Sequence, residues 1–505
     1  MRKIFTLLFL AVAAVAARAT DYNVPITVTV NGATSEQTGV ISVVENGGLY
    51  ELTVKNFMLQ SEDGPMPVGN VELKRIKPYQ DGNATLLLAK QNVTITPGDD
   101  PNVSVWMADY MLSEVPVDLR GKIVNGTLRC YLDINLKVLE QEQVIQVAIG
   151  DDKGYQMPNP SFEDWHTSTG SYVEPNSWHS FESATGNLAP WAGHHIEKSD
   201  DAHSGNASAR IFATLVWGVV ANGTMTTGRM NAGSMFADDK SGNYAYLDMS
   251  MTDKDGNGDP FYTPLYSRPD AVSVWVKFSQ GTPNSDYPYA TVSAVITDGS
   301  RYQDPEDKTY TNVVAKAKNN EIATTGGQWK RIVIPFTYKY NVDPKAVLIT
   351  VSTNADAGQG SDGDEVLVDD IEFIYNAKVT GLKVKGQPVT GFSAKQAEYE
   401  MELNEDITAD DIEVTVEGKP HVVKNVEEKD GEYICTIDVI GSDMKAKSTY
   451  VVKVKSSATG IRSIQPAANQ SATYFTLDGR QVSTLVPGNV YISRQADGTV
   501  KKIRP

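Results

Sequence analysis

The sequence predicts an all-β chain of several domains, and three observations carry that prediction. Tyr, Phe, Val and Thr are abundant, with 23 Tyr and 13 Phe, and such residues fit pleated, half-buried surfaces. Outside the N-terminus no stretch sustains apolar residues at i, i+3, i+4 and i+7, so helices are not expected. Apolar-alternating runs are instead separated by Asn-Gly, Asp-Gly and Gly-Gly pairs, which supply the positive φ of tight hairpins. A length of 505 residues exceeds a single core, and ordinary domain sizes give about three or four domains.

The formal charge of −18 and pI near 4.8 argue against nucleic-acid partners, which need a positive surface. They also give no attraction to anionic lipid. Residues 1–19, MRKIFTLLFLAVAAVAARA, have the form of a signal peptide: Arg2 and Lys3, an apolar run Ile4–Ala17, then Ala17-Arg18-Ala19 as a small-x-small cleavage site. An uncleaved anchor is the alternative, but the run is short for a bilayer. No transmembrane segment is expected later in the chain. The expected location is therefore secreted or at the outer cell surface. Two cysteines, Cys130 and Cys435, fall in different expected domains and are read as free buried thiols.

Residues 20–150 read as an antiparallel meander. Alternation appears in Ile26-Val28-Val30, in Tyr50-Leu52-Val54 and across Ile123–Val138, with turns at Asn31-Gly32, Asn46-Gly47-Gly48, Asp81-Gly82 and Asn125-Gly126. Evenly spaced hairpins of one sheet suggest closure into an up-and-down barrel. The stretches GLYELTVKNF, MPVGNVEL and VDLRGKIVNGTLRCYLDI resemble the calycin-like domain of secreted Bacteroidota proteins. The resemblance implies a lipocalin-like barrel and names no ligand.

Residues 151–156 read as a polar linker. Residues 157–376 open with MPNPSFEDWHT and close with EVLVDDIEFIYN, around apolar runs at Val272–Phe278, Ala290–Ile296, Trp329–Phe336 and Ala346–Val351. Strands at both ends suit a jelly-roll β-sandwich whose first and last strands pair. Two long loops are expected near 180–205 and 250–270. NPSFEDW, NSWHSF, DAHSGNASARI, the TTG at 226–228, RPDAVSVWVKF and VDDIEFIY resemble, in order, the putative carbohydrate metabolism domain of Bacteroidota. That likeness implies glycan binding or metabolism. Jelly-roll modules of this kind commonly hold a structural calcium between a Glu after the opening Phe and an Asp on the last strand. Here these are Glu163 and Asp369 or Asp370, and hard oxygen ligands suit that ion.

Residues 378–456 carry VTGLKVKGQPVTGFSAKQAEYEMEL, which resembles a cadherin-like β-sandwich repeat with Leu382, Val384, Phe392, Tyr399 and Met401 as core. Residues 457–505 hold six Lys or Arg against two acids, a reversal of the acidic remainder. ATGIRSI, YFTLDGRQV and PGNVYISRQADGTVKKIRP resemble the C-terminal sorting tails of exported Bacteroidota proteins. The alternative is a last set of hairpins packed as plain structure.

A sugar site needs flat apolar faces flanked by hydrogen-bonding groups. Residues 165–217 hold four of the seven Trp: Trp165, Trp178, Trp191 and Trp217. Trp165 and Trp178 sit in fold-bearing motifs and read first as core, with sugar contact as the other reading. Trp191, in the loop-like NLAPWAGHH, is the first candidate for contact, with His194 and His195 beside it. Trp217, in the apolar ATLVWGVV, reads as core. For His166, His179, His194, His195 and His203 metal binding is one reading, but their irregular spacings match no zinc motif and adjacent His194 and His195 should point apart, so polar sugar contacts or plain surface histidines are expected. DKDGNGD at 253–259 begins like a calcium loop, but Pro264 stands where an EF-hand needs Glu, and a solvated turn is the expected form. Glu163, Asp164, Glu174, Glu182 and Glu197 could supply a glycosidase pair by number, though none lies in a defining motif. No G-x-S-x-G, H-E-x-x-H or Walker pattern occurs. The expectation is a non-catalytic glycan-binding protein whose partner is a polysaccharide. The alternatives are a glycoside-active enzyme and a structural or adhesion protein with other surface proteins as partners.

Overall fold

The computed structural model describes residues 18–505 apart from 62–63, 111–113, 139–140, 169–171, 255, 341, 456–472 and 495–499. The expected signal peptide, but for its last two residues, and the ATGIRSI segment lie outside the described residues. The described chain is all-β, interrupted only by single 3₁₀ turns. Among the described residues no helix is long and apolar enough to cross a membrane. Residues up to 378 form one compact unit together with 416–421 and 439–448; residues 379–415, 422–438 and 449–505 form a second.

The first unit begins with nine strands: β1 (Arg18–Val30), β2 (Ala33–Asn46), β3 (Leu49–Ser61), β4 (Gly64–Ile76), β5 (Pro78–Asp81), β6 (Ala84–Val93), β7 (Val115–Val124), β8 (Thr127–Val138) and β9 (Gln141–Ile149). Their order is β4-β3-β2-β1-β9-β8-β7-β6-β5, so all consecutive strands except β4 and β5 are neighbours and the last strand pairs with the first. This is an up-and-down barrel, and pairing β1 with β9 removes two of its edges. Asn31 and Gly32 take φ of 49° and 92°, and Asn125 and Gly126 take 50° and 75°, the type I′ geometry expected of two-residue hairpins. Between β4 and β6 the seam is closed differently. Gln91 accepts from the Lys74 amide at 3.1 Å and donates to the Lys74 carbonyl at 2.5 Å. Asn70 and Thr96 exchange a reciprocal backbone pair at 2.7 and 3.1 Å. Ile26, Val28, Leu52, Leu73, Leu87, Leu119 and Cys130 fill the interior.

The opposite face of β7 and β8 is cationic. Arg120 Nε, Lys122 Nζ and Arg129 Nε donate to the carbonyls of Met444, Ser442 and Asp443, at 3.1, 3.1 and 3.0 Å. All three cations are buried. The stretch 151–156 is not the free linker expected from its polarity. Tyr155 is buried beneath the Arg129 guanidinium, 4.6 Å from its ring centroid. Gln156 exchanges two hydrogen bonds with the Phe373 backbone, at 2.7 and 2.8 Å.

The next segment is a two-sheet β-sandwich. One sheet orders strands 196–199, 208–212, 365–374, 271–279 and 330–335; the other orders 224–226, 346–352, 290–297, 313–322 and 337–338. Every expected apolar run is a strand here. Val272, Val274, Val276 and Phe278 of one sheet meet Val292, Ala294, Ile296, Val347, Ile349 and Val351 of the other in one core. The opening motif does not pair along the last strand as expected. It makes a single backbone bond to it, Ile371 N to Pro160 O at 2.9 Å, and Trp165–Thr167 pairs instead with Val173–Pro175.

The second unit has a three-stranded sheet (379–384, 387–388, 412–416), a four-stranded sheet (398–402, 447–455, 432–440, 421–429) and a small four-stranded sheet at its C-terminal end, 473–503. Leu382, Val384 and Tyr399 are buried as expected, whereas Phe392 and Met401 are half-buried. Cys130 and Cys435 are free and buried.

Candidate functional site

Strands β10 (Trp165–Thr167) and β11 (Val173–Pro175) form a hairpin at the start of the sandwich segment. Strands β12 (Ile196–Ser199) and β13 (Ser208–Phe212) lie at one edge of the first sheet, followed by the short pair β14 (Thr214–Val216) and β15 (Val219–Ala221). Between β11 and β12 the chain makes a 3₁₀ turn at Ala189–Trp191. Pro190 lacks an N–H and suits the first turn of such a helix. The turn is anchored by Leu188 N to Ala232 O at 2.9 Å, and Trp191 N donates to Leu188 O. Trp191 is left 61 % exposed.

Trp217 is 62 % exposed, against the expectation that it fills the core. The apolar run ATLVWGVV is not one strand. Val216 pairs with Val219, so Trp217 and Gly218 form the two-residue tip of a β14–β15 hairpin, at φ of 51° and 82°. The two indoles stand 6.0 Å apart between centroids, tilted by 41°. Leu215 and Val219 are exposed beside them. A bulky side chain at positive φ is uncommon, and Asn or Gly would fit this turn with less strain.

The other expected contacts divide. Tyr172, also exposed, stacks on His194 at 4.2 Å and 18°. His194 Nδ1 lies 3.2 Å from Glu182 Oε1, and its Nε2 lies 4.0 Å from Glu197. Arg210 joins Glu197 to Glu365, at 2.7 Å each. A groove of about 490 Å³ continues from there, lined by Glu197, Lys198, Ser199, Asp200, Asn206 and Arg210. His195 points the other way: it is buried, with its ring nitrogens on the carbonyls of Phe212 and Ala192 at 2.9 and 2.7 Å. Burial holds its pKa below the usual histidine range. Trp178 has no exposed surface and packs on Phe162 at 5.3 Å. Trp165 is half-buried against the core and donates from Nε1 to Phe162 O. His195 and Trp178 are thus closed off from solvent and Trp165 is partly so, whereas Trp191, Trp217 and Tyr172 are exposed and His194 is half-buried beside Tyr172.

The expected calcium ligands do not converge as a set. Glu163 Oε1 accepts from the Asn206 and Ala207 amides at 2.7 and 3.1 Å, which holds its pKa below the usual range. Asp369 Oδ2 accepts from the His203 and Ser204 amides at 2.7 and 3.1 Å. Asp370 takes the His203 ring at 2.6 Å and the Ser204 hydroxyl at 2.8 Å, while that ring stacks on Trp275 at 3.6 Å. Backbone amides thus take up Glu163 Oε1 and Asp369 Oδ2, and side chains take up both Asp370 oxygens. The carboxylates that do approach one another lie elsewhere. Among the described residues, His166, Glu174 and Asp253 each bring one ligand atom within 4.8 Å of the others.

At the other end of this unit, the nine strands run in sequence around a filled apolar interior, with β9 returning to β1. Residues 19–149 match the model of the calycin-like β-barrel domain. No curated protein matches the chain. The calycin-like barrel ends before the Trp191–Trp217 pair, so the candidate site lies outside the matched residues. The seam that Gln91 closes and the cationic face of β7 and β8 are features of the calycin-like barrel itself.

Proposed function

We propose that the protein is a non-catalytic glycan-binding protein, secreted or held at the outer cell surface, whose partner is a polysaccharide. The observation that carries this reading is the exposed Trp191–Trp217 pair, one member of which sits at a backbone position that local energetics would give to Asn or Gly. Strain kept at an exposed aromatic is evidence for a ligand role. Two tilted indoles offer apolar faces to the C–H side of a sugar. Tyr172, His194, Glu182, Glu197 and Arg210 lie on the same stretch of chain and provide donors and acceptors for hydroxyls. The resemblance of residues 157–376 to the putative carbohydrate metabolism domain points the same way, and the division at 20–150, 157–376, 378–456 and 457–505 belongs to this reading.

The test is a glycan array probed with the full chain and with the Trp191→Ala/Trp217→Ala double variant. Retention by the parent and its loss in the double variant is the expected result. Equal retention by both would remove the indole pair from the site. Release of new reducing ends from retained glycans would replace the binding reading with the enzymatic one. Failure of the parent to retain any glycan, with capture of a defined surface protein, would favour adhesion.

A further inference from the structure

A second site lies on the β10–β11 hairpin and stands apart from the sugar reading. His166 and Glu174 are directly opposed across the two strands, so their side chains share one face. Asp253 reaches them from the loop 252–260. Thr252 bridges Pro260 at the base of that loop, and the Asp253 amide donates to Asp259 O at 2.8 Å. Asp253 is not the solvated turn residue its motif suggests. Its side chain is 5 % exposed and that of His166 is 10 % exposed.

The hydrogen bonds leave one lone pair from each residue turned inward. Asp253 Oδ1 accepts from the Gly256 amide at 3.2 Å, while Oδ2 is buried without a hydrogen-bond partner. His166 Nδ1 lies 3.1 Å from Asn176 Oδ1. Asn257 Nδ2 stands 3.1 Å from the same nitrogen; in the tautomer that donates to Asn176, Nε2 is the free ligand atom, and it is buried without a partner. Such a second bond is what orients a metal-binding imidazole. Glu174 Oε1 is saturated by Ser180 N, Ser180 Oγ and Ser183 Oγ. Its Oε2 has one hydroxyl, Ser168 Oγ at 3.2 Å, and keeps a lone pair.

Two buried carboxylates thus face one another with no Lys or Arg paired to either among the described residues. Uncompensated charge of that kind is costly. The unpaired atoms of His166 and Asp253 are 3.9 Å apart, close to the roughly 3.4 Å between donors held about 2.1 Å from a tetrahedral ion. Gly256 makes the approach possible, since a Cβ there would stand 2.2 Å from Asp253 Oδ2 and 3.3 Å from His166 Nε2.

We propose that His166, Glu174 and Asp253 bind a divalent ion of the zinc class and so pin the 252–260 loop to the β10–β11 hairpin. One imidazole with two carboxylates suits a first-row transition ion better than calcium, which prefers oxygen throughout. The two carboxylates balance its charge, and water completes the shell.

The experiment strips the full chain with chelator and titrates it calorimetrically with zinc chloride, with calcium chloride as the contrast. The parent is expected to bind one more equivalent of zinc than Asp253→Asn, and zinc is expected to raise the parent's melting temperature but not the variant's. Glu174→Gln should weaken that equivalent by at least 10-fold, and the exposed Glu321→Gln should leave it unchanged. Asp253→Asn keeps the acceptor for the Gly256 amide, and its metal-free melt is expected to match the parent's. Equal zinc stoichiometry in the parent and Asp253→Asn, absence of any zinc uptake by the parent, or tighter calcium than zinc binding would overturn the proposal.

Discussion

Replacing Trp217 with Asn separates the two demands on that position. Trp217 sits at φ 51° in a two-residue hairpin turn, where an ordinary L-residue carries a penalty of roughly 1–2 kcal/mol and Asn carries less. Trp217→Asn should therefore stabilise the β14–β15 hairpin by about 0.5–1 kcal/mol. Binding should move the other way. A Trp offers roughly 250 Å², and with 62 % exposed about 150 Å² remains available for contact. One face is about half of that, or ~75 Å², which at about 25 cal/mol per Å² is worth ~2 kcal/mol, a roughly 30-fold weaker Kd. Hydrogen exchange of the amides at 214–221 reads the first effect, and titration with a glycan retained on the array reads the second. A variant that exchanges more slowly and binds about 30-fold more weakly is the expected outcome. Unchanged affinity, or a hairpin that exchanges faster with Asn, would refute the argument that strain is kept here for a ligand.

Three further outcomes follow from burial. Trp178→Ala removes a fully buried ring and should cost about 3–5 kcal/mol, whereas Trp191→Ala should stay within about 0.5 kcal/mol; denaturant unfolding of each variant compares them. Arg129→Ala leaves the Asp443, Asp151 and Asp152 acceptors without their donor and exposes Tyr155 to a void, so a loss of about 3 kcal/mol or more is expected, read as faster proteolysis around 151–156. Burial lowers the Lys122 pKa to about 7. Between about pH 7 and 10.5 the unfolded chain then binds a proton that the folded one lacks, and stability rises with pH by up to about 1.4 kcal/mol per unit. Lys122→Met should flatten that rise between pH 7.5 and 9.5, and an identical slope in parent and variant would contradict it.

The barrel was legible because its signals are local. Asn31-Gly32 and Asn125-Gly126 mark hairpins by their own φ preferences, and the buried Leu52 and Val54 alternate with half-buried neighbours. The sandwich strands were legible for the same reason. What local pattern could not give was partnership across long separations. Arg129 and Tyr155 look polar or incidental until residues near 443 return to cover them, so 151–156 read as a linker. Trp217 read as core because apolar runs do not announce a turn when the turn residue is itself apolar; Gly218 was the one available signal. His166 and Asp253 are 87 positions apart in number, and nothing in either motif names the other. The Glu174 opposite His166 could have been found from the strand pairing, had the hairpin at 165–175 been recognised.

The row of carbonyls at 442–444 has a consequence for the order in which the chain assembles. Arg120, Lys122 and Arg129 are made more than 300 residues before the groups they donate to. A nascent chain can close the nine strands early, since their contacts are sequential, yet three cations on its wall then lack the carbonyls at 442–444. A truncation that stops before residue 440 is therefore expected to leave Arg120, Lys122 and Arg129 without these three partners.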